Sequence, residues 1–274
     1  MDQIQALIIS GYGINCEREM AFACEEAGAR ATIVHAKKLL NNEVSLDSYH
    51  LLCFPGGFSF GDELGAAKAF ANRLTYSSKL KEQILDFVEK GKCVIGICNG
   101  FQLLVKLGLL PGLKETSASL ATNDSCQFEN RWAHHKVLPS PCVFTRGIEK
   151  LYLPIRHGEG KFVLENPEIA QQLFANNQIV LQYSTTEGEP TQNYPENPNG
   201  SIEAIAGICD PTGRILGMMA HPEAALLATH HPHWHRQMVQ ARREKSTLPK
   251  YGPGYPFFEN VVQYLKEKSC QPIM

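Results

Sequence analysis

The chain has 274 residues, of which 43% are hydrophobic, and a formal net charge of −2 at pH 7. A chain of this length can bury most of its apolar surface in one core, so we expect a single domain over residues 1–274. The near-zero charge, without long basic runs, disfavours nucleic-acid binding, and no apolar stretch reaches the roughly 20 residues of a membrane span. Because the first residues lack the basic start of a signal peptide, we expect a cytoplasmic location.

Nine cysteines at irregular spacings favour reduced thiols over a disulfide framework, since their number is odd and no signal peptide is evident. No two of them have the Cys-x-x-Cys spacing of a zinc ribbon or finger. We therefore expect most of these thiols to pack in the core as small apolar side chains, and we expect no metal.

Apolar runs and amphipathic stretches alternate over residues 1–110. The predicted strands are residues 6–9, 31–34, 51–54 and 93–97, and the predicted helices are residues 17–27, 62–74, 80–88 and 99–107. This alternation is typical of a flavodoxin-like α/β fold, an open and mostly parallel sheet with helices on both faces. In such a sheet the active site lies at the carboxyl ends of the strands.

Two glycine-rich loops follow predicted strands at that edge. Residues 11–17 follow the first strand, and residues 55–62 follow the third. The paired glycines of the second loop stand just before a helix, where the backbone N–H of Gly57 could face an oxyanion. Either loop could equally be a turn that needs a positive φ. A phosphate loop is disfavoured, because neither loop matches Gly-x-x-x-x-Gly-Lys-Ser/Thr.

The fourth predicted strand delivers Cys98 onto a turn flanked by Gly96 and Gly100, and a helix begins directly after it. Glycines two residues on either side let the backbone turn tightly, as in the nucleophile elbow of Gly-x-Ser-x-Gly hydrolases. A helix N-terminus lowers the pKa of a thiol and supplies unpaired N–H groups for an oxyanion. The alternative is a buried structural cysteine, which most cysteines are.

Downstream, residues 113–198 are polar and irregular, which favours surface loops and short antiparallel strands. Residues 202–208 and 214–219 are apolar and flank an Asp-Pro-Thr-Gly turn, which predicts a hairpin. His221 follows the second strand of this hairpin, and Glu223 stands two residues later. A lone histidine is more often structural, but together with Cys98 a nucleophile, base and orienting acid are favoured. In an α/β-hydrolase the acid would instead precede the histidine in a separate loop.

These residues resemble those of the class I glutamine amidotransferases, a family with a Cys-His-Glu triad. Longer stretches resemble the glutaminase subunits of phosphoribosylformylglycinamidine synthase, a group within that family that acts in purine biosynthesis. The stretches are residues 55–62, 123–132, 154–162, 194–201 and 217–223.

The resemblance implies that Cys98 attacks the side-chain amide of glutamine, that His221 transfers protons and that Glu223 orients His221. Water then hydrolyses the thioester to glutamate. Further residues match binding positions of the family: the backbone N–H groups of Gly57 and Asn99 for the oxyanion, and Gln102, Asn123 and Ser125 for glutamine.

The resemblance also implies a partner. Ammonia would pass to a separate synthetase subunit that uses ATP and magnesium to aminate formylglycinamide ribonucleotide, and this chain would carry no cofactor. Whether a small accessory subunit joins the complex stays open.

Two other functions stay open on the residues alone. One is a cysteine hydrolase on a similar flavodoxin-like sheet, acting on substrates other than glutamine. The other is a catalytically silent binding subunit, which the presence of all three triad residues disfavours.

The C-terminal segment, residues 225–274, is an extension. Residues 225–255 combine tryptophan, histidine and arginine, a mixture favoured at interfaces, so we expect this tail to lie near His221 and to dock or gate the partner. Proline interrupts the histidine run at residues 230–235, which disfavours a metal site there. An amphipathic helix is predicted over residues 257–268.

Overall fold

The computed structural model describes residues 3–76, 78–112 and 118–269. Its strands are β1 Gln5–Ser10, β2 Arg30–His35, β3 Leu51–Phe54, β4 Cys93–Ile97, β5 Ala118–Ala121, β6 Glu129–Val137, β7 Lys150–His157, β8 Lys161–Leu164, β9 Ile179–Ser184, β10 Ile205–Cys209 and β11 Ile215–Met218. Its helices are α1 Glu17–Glu26, α2 Ala36–Leu40, α3 Lys68–Tyr76, α4 Ser78–Glu89, α5 Asn99–Lys106, α6 Pro167–Ala175, α7 Trp234–Arg243 and α8 Tyr255–Ser269. Cys270 and residues 113–117 lie outside the described ranges.

Within the described ranges, nine strands form one sheet in the order β2-β1-β3-β4-β11-β10-β9-β6-β7, and β5 pairs with β8 apart from it. The strands from β2 to β11 in this order pair in parallel. From β11 to β7 every pairing is antiparallel. The predicted α/β sheet with an added hairpin is confirmed, and β10 and β11 are that hairpin.

Helices cover both faces of the parallel half. The chain runs from β1 outward to β2, then returns to β3 and β4 on the other side of β1. Since such crossovers are right-handed, this reversal places α1 on one face and α3, α4 and α5 on the opposite face. In agreement, α1 packs against α8, whereas α3 packs against α4 and α5. None of the described helices is both long and apolar enough to cross a membrane.

The polar middle of the chain forms more regular structure than the sequence indicated. Instead of surface loops and short strands, it supplies β6, β7 and β9, which extend the main sheet, and the helix α6. The residues that β6 buries are Glu129, Ala133 and His135, so two of its three buried positions are polar. A strand whose buried positions include histidine gives a weak alternation signal, so its length could not be predicted.

The helix predicted for residues 62–74 begins later than expected, at Lys68. A short 3-10 segment, Ser59–Asp62, precedes it, and within it Phe60, Gly61 and Asp62 have φ values of 56°, 69° and 53°. Left-handed backbone at successive positions cannot continue a right-handed helix. The loop after β3 is therefore longer than the apolar spacing indicated.

The amphipathic helix predicted near the end of the chain is present as α8, which buries Phe257, Phe258 and Leu265 and packs against α1 and the short segments 143–145 and 222–225. Before it, α7 is a helix that the sequence did not indicate, and none of its residues is buried. The tail that carries α7 leaves and rejoins the fold at neighbouring points, because the Ala228 N–H donates to the Lys250 carbonyl at 3.1 Å.

Gly100, in the first turn of α5, allows this helix to lie directly against β3. A Cβ at this position would collide with the carbonyl oxygen of Phe54. The contact lies two residues from Cys98, so it sets how close the start of α5 comes to the edge of the sheet.

We expect Gly100→Ala to lower the free energy of unfolding by about 1–3 kcal/mol, the usual cost of overpacking a tight core. Denaturant unfolding monitored by circular dichroism measures it. Gly158→Ala is the matched control, because the nearest atom to its added Cβ is 3.8 Å away. The control should stay within about 0.5 kcal/mol of wild type, and equal losses in the two variants would contradict the packing argument.

Candidate active site at the carboxyl edge of the sheet

Four segments meet at the carboxyl edge of the parallel strands. They are the loops after β1 and β3, the junction of β4 and α5, and the segment after β11. Parallel neighbours end at the same edge, so residues distant in sequence become neighbours in space.

Cys98 sits at the corner between β4 and α5 with a left-handed backbone, φ 52° and ψ −106°. Its N–H donates to the Met218 carbonyl at 2.8 Å, and its thiol lies 3.5 Å from the Arg156 carbonyl oxygen. A non-glycine residue in this conformation is strained, and such strain is typical of a nucleophile elbow. The side chain is 6% exposed and borders an open cavity.

His221 and Glu223 form a buried pair, each 2% exposed, directly after β11. The distance from His221 Nδ1 to Glu223 Oε1 is 2.6 Å, and since a carboxylate can only accept, Nδ1 carries the proton. Burial alone would lower the pKa of His221, but the charge of Glu223 and the nearby thiols of Cys16 and Cys98 outweigh it, and the pKa is raised well above its ordinary value. The hydrogen bond from Nδ1 to Glu223 fixes the ring, so the other ring nitrogen, Nε2, does not contact the carboxylate.

The loop that carries Gly57 is clamped by the loop after β1. The Phe58 N–H donates to Gly13 at 2.9 Å, and the Asn15 N–H donates to Gly56 at 3.2 Å. In an antiparallel bridge with these two bonds, Gly57 is the unbonded partner of Ile14, so its N–H points away from that loop.

Asn99 begins α5, where the first N–H groups have no partner within the helix. Its side chain is committed to structure: Oδ1 accepts from the Ser59 N–H at 3.2 Å, and Nδ2 donates to Asp62 at 3.1 Å and to Gln102 at 2.9 Å. The backbone N–H of Asn99 is thus the group it can offer to a ligand.

Beside the thiol lies a cavity of about 310 Å³. It is lined by Gly57, Phe58, Gly61, Asp62, Cys98, Gln102, Phe128, Arg156, His157, Gly158 and Glu159. Of the predicted glutamine ligands, Gln102 is among them, and its Nε2 donates to the Glu159 carbonyl at 2.5 Å. A larger cavity of about 430 Å³ lies at the opposite edge of the sheet, and neither Cys98 nor His221 lines it.

The structure does not place Asn123 or Ser125 on the cavity wall. Asn123 is buried, and its side chain donates to the His157 carbonyl at 2.8 Å and accepts from the Gly160 N–H at 2.9 Å, which fixes the loop after β7. Ser125 is exposed and donates to Glu129 at 2.9 Å. Their contact with glutamine stays a prediction.

Three wall residues were not assigned a role from the sequence: Arg156, His157 and Glu159. Arg156 and His157 end β7, and Glu159 stands two residues after His157. Burial lowers the pKa of His157 to about 3, so this imidazole is neutral. The signal that could have found them is the pairing of β7 with β6, which brings its carboxyl end to the same edge, but strand pairing is not readable from local sequence.

Comparisons with known proteins identify the family of the chain. The family model of the CobB/CobQ-like glutamine amidotransferase domain matches residues 3–265. The "Phosphoribosylformylglycinamidine synthase subunit PurQ" of Methanococcus maripaludis is 41% identical over 269 residues, 96% of this chain and 98% of the relative. The subunit of the same name from Dehalococcoides mccartyi is 40% identical over 97% of this chain and 100% of the relative.

A solved structure, that of PurLQS from Thermotoga maritima, is similar with a TM-score of 0.71 and 27% identity, covering 96% of this chain and 100% of that chain. Sequence and fold thus agree over nearly the whole length. The chain belongs to the CobB/CobQ-like glutamine amidotransferase family and, within it, to the PurQ subunits of phosphoribosylformylglycinamidine synthase.

Proposed function

We propose that this chain, as one glutamine amidotransferase domain, hydrolyses glutamine to glutamate and ammonia for a synthetase subunit. That subunit converts formylglycinamide ribonucleotide to formylglycinamidine ribonucleotide in purine biosynthesis. The observation that carries the proposal is the meeting of Cys98 with the His221–Glu223 pair beside an open cavity.

The first half of the reaction forms a thioester. The thiol proton of Cys98 first passes to His221 Nε2, a transfer that the raised pKa of this imidazole favours, and Cys98 Sγ then attacks the side-chain carbonyl carbon of glutamine. His221 then returns that proton to the leaving nitrogen, so the C–N bond breaks and ammonia departs. Glu223 holds Nδ1–H throughout, which keeps the tautomer that leaves Nε2 able to accept.

The second half regenerates the thiol. His221 takes a proton from water as the water oxygen attacks the thioester, and the C–S bond breaks to release glutamate. In both halves the carbonyl oxygen gains negative charge, and the N–H groups of Gly57 and Asn99 are the donors that stabilise it.

The cavity wall suits the zwitterionic end of glutamine. Arg156 supplies a cation for the α-carboxylate, and Glu159 and Asp62 supply anions for the α-ammonium group. Gln102 and Asn123 act on this wall by fixing the loop that carries Glu159.

The mouth of the cavity carries exposed apolar side chains, which fits a docking face. Phe58 and Phe128 are 45% and 51% exposed, with ring centroids 6.0 Å apart, and Leu64 on the neighbouring loop is 66% exposed. Covering this mouth with the synthetase would keep ammonia from escaping to solvent. The synthetase would use ATP and magnesium, and this chain would hold no cofactor and act in the cytoplasm.

A cysteine hydrolase of different specificity and a silent binding subunit are both disfavoured. The relatives are synthase subunits by name over the full chain, and the nucleophile, base and acid are all present. The presence of a small accessory subunit in the complex stays a prediction.

We expect Cys98→Ser to abolish glutamine-dependent synthesis by the complex while ammonia-dependent synthesis stays nearly intact, because an alcohol near neutral pH is a far poorer nucleophile than a thiolate. Both rates are measured on the same preparation. A glutamine-analogue alkylator should label Cys98 in wild type and leave the exposed thiol of Cys126 unlabelled. Equal loss of both activities would show that Cys98 is structural.

We expect both Glu223→Gln and His221→Ala to reduce glutamine-dependent kcat, and we expect the reduction in His221→Ala to be larger by about tenfold or more. The reason is that the orienting group contributes less than the base it orients. Ammonia-dependent synthesis by the same complexes is the control for folding and assembly. The opposite ranking would reassign the two roles.

We expect the double substitution of Phe58 and Phe128 by serine to weaken binding of the synthetase at least tenfold, since exposed aromatic side chains at an interface contribute most of its energy. Titration calorimetry with the isolated subunits measures it. Phe22→Ser is the matched control, because Phe22 is also exposed, at 41%, but lies on α1.

Unchanged affinity in the double variant would contradict the proposed docking face.

The docking role of residues 225–255 stays a prediction, and the same titration tests it. Because the Ala228 N–H and the Lys250 carbonyl are hydrogen-bonded, a short Gly-Ser linker can replace residues 229–249 without moving their neighbours.

A further inference from the structure

A second thiol lies beside the catalytic pair, and no step of the proposed reaction uses it. Cys16 Sγ, a ring nitrogen of His221 and a carboxylate oxygen of Glu223 all lie within 4.8 Å of one another. A Cβ built on Gly56 would be 2.7 Å from the His221 ring, 3.4 Å from Cys16 Sγ and 3.4 Å from Cys98 Cβ. Cys16 Sγ, the His221 ring and Cys98 Cβ therefore lie around one point of the loop after β3, and the thiols of both cysteines act on His221.

Two polar atoms of the His221–Glu223 pair have no hydrogen-bond partner among the described residues. His221 Nε2 and Glu223 Oε2 are buried and form no hydrogen bond with the part of the chain that the structure describes. The thiols of Cys16 and Cys98 both lie close enough to His221 to raise its pKa. Cys16 itself is half-buried, with Sγ 3.3 Å from Asn15 Oδ1.

Two thiolates and one imidazole are the donor set that Zn²⁺ prefers. A zinc-bound histidine characteristically donates its other ring N–H to a carboxylate, which fixes the ring and raises its basicity. His221 already has this arrangement, because Nδ1 is held by Glu223 at 2.6 Å. The fourth position would stay open to water from the cavity that Cys98 borders.

We propose that Cys16, Cys98 and His221 form an inhibitory binding site for a thiophilic divalent cation such as Zn²⁺, with Glu223 holding the imidazole from behind. Bound metal occupies the nucleophile and the base together, so glutamine hydrolysis stops. The inhibition rests on the proposed function, whereas the binding site does not.

The histidine-rich part of the tail does not compete for this role. Within the described ranges, the group at Cys16 is the one place where three such ligand atoms converge. The rings of His231, His233 and His235 instead make contacts with one another and with neighbouring aromatic rings.

The first test measures zinc inhibition of glutamine-dependent synthesis by the complex, with reversal by a chelator. We expect Cys16→Ser to raise the half-inhibiting zinc concentration at least tenfold, because changes around a metal site commonly cost 10–100-fold in affinity. The rate of each protein with zinc is compared with the rate of the same protein without metal. Cys126→Ser, which removes an exposed thiol, is the matched control and should behave as wild type. Equal sensitivity of Cys16→Ser and wild type would overturn the site.

The second test needs no turnover and so separates the site from the proposed function. Co²⁺ replaces Zn²⁺, and the thiolate-to-cobalt charge-transfer absorption of the isolated chain reports the number of sulfur ligands. We expect this absorption to fall by about half in Cys16→Ser and in Cys98→Ser, and to stay unchanged in Cys126→Ser. A full-strength band in Cys16→Ser would overturn the proposal, whether or not the chain proves to be a glutaminase.

A third measurement uses only wild type and remains decisive if a variant fails to fold. We expect Zn²⁺ to protect both Cys16 and Cys98, but not Cys126, from a small thiol alkylator, as mapped by mass spectrometry. Protection of Cys98 without Cys16 would assign zinc inhibition to the nucleophile and base alone and would remove Cys16 from the site.

Discussion

The tight corner at Cys98 is the constraint on which the rest of the site depends. A left-handed residue between a buried strand and a helix persists only where its surroundings hold it. Here the Cys98 N–H is bonded to Met218 of β11, and Gly100 brings α5 against the backbone of β3. Three neighbouring strands thus fix Cys98, so the position of its thiol is a property of the core and not of a loop.

His221, the proposed base, is positioned from the other half of the sheet. The His221 N–H donates to the Pro154 carbonyl of β7 at 2.9 Å, and Ala220 forms a bridge with Ile155. The next residue of β7, Arg156, has its carbonyl oxygen 3.5 Å from the Cys98 thiol. Although β7 is the outermost strand of the antiparallel half, it therefore contacts both the nucleophile and the backbone of the base.

The sequence could predict those features whose patterns extend over only a few neighbouring residues. Cys98, Gly57 and His221 were identified from strand, turn and helix patterns that extend over a few residues, and these patterns hold in the parallel half. Arg156 and Glu159 were missed because their place depends on the pairing of β6 with β7 and β9, which no local pattern specifies. Family resemblance supplied the roles of Gln102 and Asn123, whereas the structure shows which backbone groups their side chains hold.

The cavity lies between two parts of the fold. One wall, with Cys98 and Gly57, belongs to the parallel half of the sheet, and the other, with Arg156 and Glu159, belongs to the end of β7 and the loop after it. Under the proposed function, glutamine would contact both walls, so its orientation would depend on how the loop after β7 sits relative to α5. Gln102 links them directly, since its side chain on α5 holds the Glu159 carbonyl. A partner that presses on the exposed Phe128, on the far wall, would therefore act on the geometry of the nucleophile through this hydrogen bond and the Arg156 carbonyl.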